Sequence, residues 1–404
     1  MKILMVTAFA YPHGGGLSSH VKTLKAGLEH RGHGVDVLSF SDVPLVKRYW
    51  VRGGSYLRNR REHGAGFYWS QQKRSEILRK TLAEASSRYD LINAQDVMAA
   101  AASAATGLPV VLTVHGYLAY EAVSKGSVEP GGIYEKRLLE MEKKAYRLAD
   151  RLVAVDRRIQ AYVKNLSGKE AAAIPNFINA EEFKPDKEDN EKYREELGFS
   201  QEDFIFFVPR RLTEKNGVIY PVLAFAAAKE DLPGAKLVYA GAGEEAVRLK
   251  KEIGGKKLNG RVLLLGEVPH EQMMKYYTIS DAVLIPSVHS AGVEEATSIS
   301  ALEAMGSGSP VIASAVGGLR EIIADGEDGL LVEEKNVREL SRAMTALFRD
   351  AELRKRLAGR ARRKVEQSFS HLAGAEKFER VYMEALQEKK PLRGAADQNG
   401  EARP

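Results

Sequence analysis

Cysteine is missing from all 404 positions, so disulfide bonds, thiolate metal ligands and a cysteine nucleophile are excluded. Long hydrophobic runs are missing too, because no stretch approaches the ~20 apolar residues that span a bilayer. The opening run, MKILMVTA, is too short for the hydrophobic region of a signal peptide and is typical of a buried strand. We therefore expect a cytoplasmic protein, either soluble or peripheral at the inner face of the membrane.

The composition that is present is typical of a globular protein. Hydrophobic residues make up 44% of the chain and charged residues 28%, and a chain of this length suggests two or three domains. The formal net charge of +6 favours anionic partners, or it is only a solvated surface with an excess of lysine and arginine. No RNA-binding or helix-turn-helix pattern accompanies the charge, so a nucleic acid partner is not expected.

Short apolar runs alternate with amphipathic stretches twice along the chain. In the first half, 2–8 and 34–40 predict strands, and the apolar spacing within 17–31 predicts a helix between them. The alternation begins again at 203–209, after the polar and acidic segment 179–200. We therefore predict an α/β protein with two doubly wound, Rossmann-like domains that face each other across a cleft. Ligands are expected at the carboxyl ends of the strands.

Four segments follow from this reading. Residues 1–178 are predicted to form an N-terminal domain, and residues 179–369 a C-terminal domain. The amphipathic stretch 370–388 predicts a helix that packs back toward the N-terminal domain. The polar remainder, 389–404, is expected to be disordered.

Three segments at predicted strand ends carry residues suited to phosphate or sugar. YPHGGGLSSH (11–20) places contiguous glycines before a helix, where backbone N–H groups favour anions, although a flexible turn is the alternative. PRRLTEKNG (209–217) brings three cations to a strand end, as a phosphate site or as an exposed basic turn. LTVHG (112–116) ends an apolar strand near His115, which can bond a substrate hydroxyl or simply be a satisfied histidine.

One acid, Glu303, stands inside the apolar run ISALEAMG, where burial penalises charge. A capping box formed by Ser300 and Glu303 would explain it, but it would leave only a short helix before the next glycine. Alternatively, Thr297 or Ser298 caps a longer helix, and Glu303 is free to accept hydrogen bonds from paired sugar hydroxyls.

The surrounding sequence resembles the family-four retaining glycosyltransferases of GT-B fold. Glu295 and Glu303, in EATSISALEAMGSGSPVIAS, match the E-x7-E signature of that family. LIPS precedes the signature, and VGGLREIIADGEDGLLV (316–332) follows it. IPNFIN (174–179) resembles the hinge segment of the family, and GEV (266–268) stands where such enzymes hold the base. The similarity extends to about Leu386 and indicates the family more strongly than the substrate.

The resemblance implies that residues 1–178 form the acceptor-side domain and residues 179–369 the donor-binding domain. It also implies a role for each matching residue. Glu303 would bind the ribose hydroxyls of the donor, and Glu295 would hold sugar hydroxyls near the anomeric carbon. Gly15 and Gly16 would approach the diphosphate from the first domain, and His115 would contact the transferred sugar. The catalytic residues implied are Glu295, His115, Arg211 and Lys215. The other donor-binding residues implied are Arg210, Gly266, Val268, Thr297, Ser298 and Ile299.

Two features depart from the family pattern. Ala-Thr-Ser at 296–298 stands where the family commonly has Gly-Phe-Gly, which leaves the donor sugar open. Arg210 has the expected spacing to Lys215, whereas Arg211 matches the local sequence, so the arginine that meets phosphate is open as well.

The expected activity is transfer of a sugar, with retention of configuration, from a UDP- or GDP-sugar to an acceptor sugar, lipid or other alcohol. Arginine and lysine would stabilise the departing diphosphate, and no metal or other cofactor is expected because no Asp-x-Asp motif stands at a strand end. A sugar-nucleotide epimerase, a phosphorylase and a non-catalytic sugar-nucleotide-binding protein are the alternatives.

The segment KRYWVRGGSYLRNRR (47–61) combines six cations with three aromatic residues. This mixture suits an anionic membrane surface or a phosphorylated acceptor. The alternative is a solvated loop that packs its aromatic rings on the domain. The Gly53–Gly54 pair predicts a break in any helix here.

Overall fold

The structure, a computed structural model, describes residues 1–13, 15–185, 189–289 and 297–389. Their contacts divide the chain into two units. The first consists of Met1–Pro175 and the C-terminal helix (His371–Lys389), and the second is Asn176–Ser370. The division after Pro175 lies three residues before the boundary that the sequence predicts. Apart from Lys389, the predicted tail lies outside the described residues.

The first unit contains a six-stranded parallel sheet with the order β2-β1-β3-β4-β5-β6. Apolar runs without alternation, such as LINA and VVLTV, form strands that are buried on both faces. The strands are β1 (Lys2–Val6), β2 (Gly34–Leu38), β3 (Leu91–Ala94), β4 (Val110–Val114), β5 (Arg151–Ala154) and β6 (Ala172–Ala173).

Helices cover this sheet. They are α1 (Gly16–His30), α2 (Leu45–Arg61), α3 (Ala65–Ala85), α4 (Val97–Ser103), α5 (Leu118–Ser124), α6 (Ile133–Leu148) and α7 (Arg157–Ser167). The C-terminal helix packs against α1, where a Cβ atom on Gly27 would lie only 2.3 Å from the His371 carbonyl oxygen. The helix His371–Lys389 therefore belongs to the same unit as β1.

The second unit contains a six-stranded parallel sheet with the order β12-β11-β10-β7-β8-β9. Its strands are β7 (Phe204–Val208), β8 (Ala235–Tyr239), β9 (Val262–Leu264), β10 (Ala282–Ile285), β11 (Val311–Ser314) and β12 (Leu330–Val332). Its helices are α8 (Asn190–Glu196), α9 (Ile219–Ala227), α10 (Ala246–Gly255), α11 (His270–Ile279), α12 (Ile299–Gly306), α13 (Leu319–Ile322), α14 (Val337–Arg349) and α15 (Ala351–Lys364). The chain is thus α/β, with two Rossmann-like domains, and α8 lies within the polar and acidic segment 179–200.

The basic and aromatic segment differs from its prediction. It forms the continuous helix α2, which passes through Gly53 and Gly54 without a break. A Cβ atom on Gly54 would lie 2.5 Å from the Trp69 ring on α3, so glycine here permits close packing of the two helices. That contact offsets the roughly 1 kcal/mol that a glycine costs inside a helix.

Candidate active site

The strand order of the second unit reverses between β7 and β10. In doubly wound folds, ligands bind beyond the carboxyl ends of the strands at such a reversal. The loop after β7 carries Arg210, Arg211 and Lys215, and Ser287 follows β10. These loops therefore form the candidate binding site of the second unit.

Arg210 is buried and joins three pieces of chain. Its Nη2 donates to Asn216 Oδ1 at 2.7 Å and to Ser287 Oγ at 3.0 Å, and its Nη1 donates to Ser298 Oγ at 3.3 Å. Asn216 in turn donates from Nδ2 to the Arg211 carbonyl oxygen at 2.8 Å. Arg210 therefore holds the loops after β7 and β10 against the start of α12.

Arg211 and Lys215 have the opposite character. Both side chains are exposed, whereas Arg210 is only 9% exposed. The backbone between them is held, because Val288 N donates to the Lys215 carbonyl oxygen at 2.9 Å. Two exposed cations on a loop with a held backbone are suited to an anionic ligand. The geometry thus separates the two arginines, with Arg210 inside the protein and Arg211 at its surface.

Three glycines that the sequence reasoning missed allow these loops to meet. A Cβ atom on Gly217 would lie 1.8 Å from the Pro286 carbonyl oxygen. The corresponding distances are 2.1 Å from Gly241 to the Arg210 oxygen and 2.3 Å from Gly243 to the Leu212 oxygen. Each glycine follows a strand of the second sheet, Gly217 after β7 and Gly241 and Gly243 after β8.

The GEV segment, proposed to hold the base, lies beside the same loops. Gly241 N donates to the Gly266 carbonyl oxygen at 2.7 Å, which joins the loops after β8 and β9. Val268 is partly buried and packs against the core of the second unit. Both residues therefore lie at the carboxyl edge of the sheet that also carries Arg210.

The start of α12 decides between the two interpretations of Glu303. The helix begins at Ile299 with Ser298 as its N-cap, so Ser300 lies inside the first turn and Glu303 is the fifth helical residue. The capping-box interpretation is wrong, because a capping box needs the acid at the third position. Ser298 and Thr297 are buried, and Ile299 packs against the core. The Ser298 hydroxyl accepts from Arg210.

Glu303 is buried beside a tyrosine that the sequence did not point to. The Tyr277 hydroxyl on α11 donates to Glu303 Oε2 at 2.8 Å. Burial raises the pKa of Glu303 to about 8; the hydrogen bond from Tyr277 opposes that rise, and the charge of Glu182 adds to it. The carboxyl group is therefore mostly protonated at pH 7, although it belongs to a residue type that is usually ionised.

The remaining predicted residues of the described chain belong to the first unit. Gly15 is the N-cap of α1 and Gly16 is its first residue, so the glycine loop does stand at a helix N-terminus. His115 follows β4, and its Nε2 lies 3.0 Å from Gln95 Oε1. Burial, reinforced by the neighbouring His20, holds the pKa of His115 well below 6.5, so the ring is neutral at pH 7.

Glu295, the first acid of the signature, lies outside the described residues. Within the described ranges, no group of three or more histidine, aspartate or glutamate side chains is placed to hold a metal ion. The same part of the chain contains no helix with the length and apolar character needed to cross a bilayer.

Family models match most of the chain. Residues 14–182 match the model described as Glycosyltransferase Family 4, and residues 189–364 match Glycosyl transferases group 1. The uncharacterized glycosyltransferase MJ1607 of Methanocaldococcus jannaschii is 29% identical over 403 residues, covering 96% of this chain and 99% of that protein. The putative teichuronic acid biosynthesis glycosyltransferase TuaC of Bacillus subtilis is 27% identical over 284 residues, 69% of this chain and 66% of TuaC.

Solved structures agree on the fold. Sucrose-phosphate synthase from Thermosynechococcus elongatus has a TM-score of 0.74 at 20% identity, covering 96% of this chain and 99% of that chain. HepE from Anabaena, solved in complex with UDP and glucose, has a TM-score of 0.70 at 19% identity, covering 95% of this chain and 100% of that chain. The chain therefore belongs to the family 4 glycosyltransferases, sugar-transferring enzymes of GT-B fold.

Proposed function

We propose that the enzyme transfers a sugar from a nucleoside diphosphate sugar, UDP- or GDP-linked, to an acceptor hydroxyl with retention of anomeric configuration. The observation that carries the donor class is the loop after β7, where Arg210 is used internally and Arg211 and Lys215 are left exposed. Two cations at a topological reversal suit a diphosphate. HepE, which has the same fold and was solved with UDP, is compatible with a UDP-linked donor.

Glu303 is assigned to the ribose of the donor. A carboxylate can accept hydrogen bonds from two neighbouring hydroxyls, and the ionised form is the better acceptor. Because burial keeps the free carboxyl protonated, binding of a ribose diol should favour loss of that proton. In the first unit, we assign Gly15 and Gly16 to the diphosphate and His115 to a hydroxyl of the transferred sugar. Glu295 is assigned to the sugar near its anomeric carbon.

The chemical step breaks the bond between the anomeric carbon and the diphosphate oxygen. The acceptor oxygen forms a new bond on the same face of the sugar, and its proton passes to the departing phosphate oxygen. Negative charge grows on the diphosphate while the sugar gains oxocarbenium character. Arg211 and Lys215 stabilise that growing charge more strongly than the ground state, which lowers the barrier without a protein nucleophile. The step as proposed also needs no metal ion.

Thermal-shift measurements against UDP-, GDP- and ADP-sugars test the donor class. A donor present at ~100 times its Kd should raise the free energy of unfolding by about 2.7 kcal/mol. Incubation with that donor and an acceptor alcohol should give a glycoside whose anomeric configuration, read by NMR, matches the donor. Inversion would contradict the mechanism. A changed sugar nucleotide without any acceptor would favour an epimerase, and a strict need for inorganic phosphate would favour a phosphorylase.

Glu303 gives the enzyme a testable pH dependence. The pKa of this carboxyl rises from 4.5 to about 8 on folding, so the folded chain keeps a proton that the unfolded chain has lost between those values. Stability should therefore fall as pH rises through this window, by up to about 1.4 kcal/mol per pH unit. Glu303→Gln should melt at a higher temperature than wild type at pH 8, and the difference should vanish near pH 4.

The same variant separates stability from binding. Wild-type affinity for UDP should increase as pH rises toward 8, whereas Glu303→Gln should bind weakly with no such slope. Glu182→Gln is the matched control: it removes a neighbouring negative charge, so it should lower the midpoint slightly and keep the slope. Equal UDP affinity and an equal pH slope in Glu303→Gln and wild type would rule out the ribose assignment.

We further propose that α2 places the enzyme on an anionic membrane surface. Its large exposed apolar side chains share one sector, about 140° wide, of the helix circumference. They are Leu45, Val46, Tyr49, Trp50, Tyr56 and Leu57, each more than half exposed. Val51, the buried residue of α2, lies on the opposite side. An exposed apolar face of this size marks an interaction surface rather than an ordinary solvated helix.

The charge of α2 selects the partner. The helix carries six cations, Lys47, Arg48, Arg52, Arg58, Arg60 and Arg61, and no acid. Aromatic rings favour the interface of a bilayer, and each cation near an anionic surface contributes about 1 kcal/mol. An anionic bilayer matches both properties over the whole length of the helix, which a neutral protein surface does not. An acceptor that is itself a lipid, or is linked to one, fits an enzyme held in this way.

A further inference from the structure

A hydrogen-bonded row of buried polar side chains lies at the carboxyl end of the first sheet. Asn93 and Gln95 follow one another on the same face at the end of β3, Thr113 lies on β4, and Tyr382 lies on the C-terminal helix. All four are at most 1% exposed. Burial of an amide group costs free energy unless its hydrogen bonds are satisfied. The donor and the acceptor of each hydrogen bond in this row can therefore be assigned.

The direction is set at one end by the backbone. Asn93 has one amide atom 3.0 Å from the Val111 carbonyl oxygen, and a carbonyl oxygen can only accept. That atom is therefore the nitrogen Nδ2, which also reaches Thr113 Oγ1 at 3.1 Å. It follows that Asn93 Oδ1 points the other way and acts as an acceptor. Tyr382 Oη donates to that oxygen at 3.1 Å.

The remaining hydrogen bonds of the row follow from this orientation of Asn93. The Gln95 atom that meets Asn93 Oδ1 must donate, so it is Nε2, and Gln95 Oε1 is left facing the histidine. An amide oxygen can only accept, so His115 Nε2, 3.0 Å away, carries a hydrogen. A neutral imidazole has one N–H, so Nδ1 of His115 keeps its lone pair. Among the described residues, Nδ1 has no hydrogen-bond partner.

We propose that Gln95, oriented by Asn93 and the Val111 carbonyl, is a positioning residue that fixes His115 in the Nε2–H tautomer and so presents Nδ1 as a hydrogen-bond acceptor. The group that Nδ1 accepts from is a substrate hydroxyl, which rests on the sugar-transfer function proposed above. His115 then orients the sugar and does not serve as a proton donor. Asn93 and Gln95 occur in the sequence as two unremarkable polar residues, and only their directed bonds reveal this role.

The tautomer can be measured without any substrate. In histidine-labelled enzyme, long-range proton–nitrogen NMR correlations distinguish the two tautomers, and the His115 signals are assigned by their loss in His115→Asn. The wild type should show the Nε2–H pattern. Gln95→Met keeps the size of the side chain but removes the acceptor, and it should give a mixture of tautomers. A His115 ring protonated at Nδ1, or an unchanged tautomer in Gln95→Met, would overturn the proposal.

Tyr382→Phe is the matched control. It removes an equally buried hydroxyl from the same hydrogen-bonded row, but it leaves the hydrogen bonds that connect Val111 through Asn93 and Gln95 to His115. It should lower the melting temperature while the His115 tautomer stays as in wild type.

Kinetics then test the substrate contact. With the nucleotide sugar that gives the largest thermal shift, Gln95→Met should lower kcat/KM about tenfold, the value of one hydrogen bond, and Tyr382→Phe should change it less than twofold. Unchanged kcat/KM in Gln95→Met would overturn the substrate contact. If no nucleotide sugar binds or reacts, the proposed function fails, and the NMR result still decides whether Gln95 sets the tautomer.

Discussion

Replacing Arg211 or Lys215 with alanine should lower turnover by ~10²-fold or more in each case. Both cations are exposed on a loop whose backbone is held, and among the described residues neither side chain has an ion-pair partner to leave before it meets a diphosphate. A preorganised charge that stabilises a growing negative charge typically contributes this much to catalysis. Turnover is measured at saturating donor, so that weaker donor binding does not mask the effect. The melting temperature should stay near that of wild type, because exposed side chains contribute little to stability.

Arg248→Ala is the matched control for charge. Arg248 is an exposed cation of the second unit that pairs with Glu245 on the surface, so its loss should leave turnover within twofold of wild type. Activity should also survive EDTA in the wild type. Complete loss of activity in chelator, restored by magnesium or manganese, would show that a metal ion stabilises the leaving group and that the arginine and lysine account is wrong.

Arg210→Ala should behave differently from Arg211→Ala. It leaves three buried groups, Asn216, Ser287 and Ser298, without the donor that joins them. Loss of a buried charged donor of this kind typically costs about 3 kcal/mol of folding free energy. We therefore expect a clearly lower melting temperature in Arg210→Ala. An unchanged melting temperature in this variant would contradict its assignment as an internal link.

The second large effect concerns α2. Wild-type enzyme should sediment with vesicles that contain anionic lipid at low salt and be released at high salt, because screening weakens attraction to surface charge. Replacing Arg52, Arg60 and Arg61 together with alanine should weaken this partitioning by ~10²-fold, since each cation contributes about 1 kcal/mol. Arg58 is left in place because its guanidinium packs over the Trp69 ring. If the wild-type enzyme remains in the supernatant at low salt, α2 does not bind membranes, and a soluble acceptor is favoured.

A triple control separates the helix from net charge. Arg79, Lys80 and Lys144 are exposed cations of the same unit that lie outside α2. Replacing all three with alanine removes the same charge and should leave most of the vesicle binding intact. Replacing Tyr49 and Trp50 with serine should weaken binding even to vesicles rich in anionic lipid, because the apolar contribution is lost. Equal losses in both charge triples would mean that overall charge, rather than α2, attracts the enzyme.

The strands were the most predictable part of this fold. The runs predicted as strands at 2–8 and 203–209 correspond to Lys2–Val6 and Phe204–Val208. Continuous apolar runs of this length, bounded by turn residues, leave little choice of structure in a two-sided sheet. The helix break predicted at Gly53 and Gly54 was wrong, because the close contact that compensates for Gly54 involves Trp69 on another helix.

The candidate site was predictable in its residue types but not in their roles. Nothing near Arg210 in the sequence distinguishes it from Arg211, because two of the groups that bury it, Ser287 and Ser298, are more than seventy residues away. Similarly, the tyrosine beside Glu303 comes from α11, and its contact arises only when the helices pack. Local patterns therefore predicted the candidate site, whereas the burial and hydrogen-bond partners of its residues depend on long-range packing.

The C-terminal helix has a consequence for how the protein is made. The first unit contains residues that precede the second unit in sequence, yet it is completed by a helix that begins at His371 and packs against α1. A ribosome must therefore add the whole second unit, about 200 residues, before the first can close, which takes about 10 to 40 s at ordinary synthesis rates. During that time the face of α1 around Gly27 lacks its contact with the C-terminal helix. The second unit is continuous in sequence, so it can fold as soon as it emerges from the ribosome. Synthesis thus favours completion of the second unit before completion of the first.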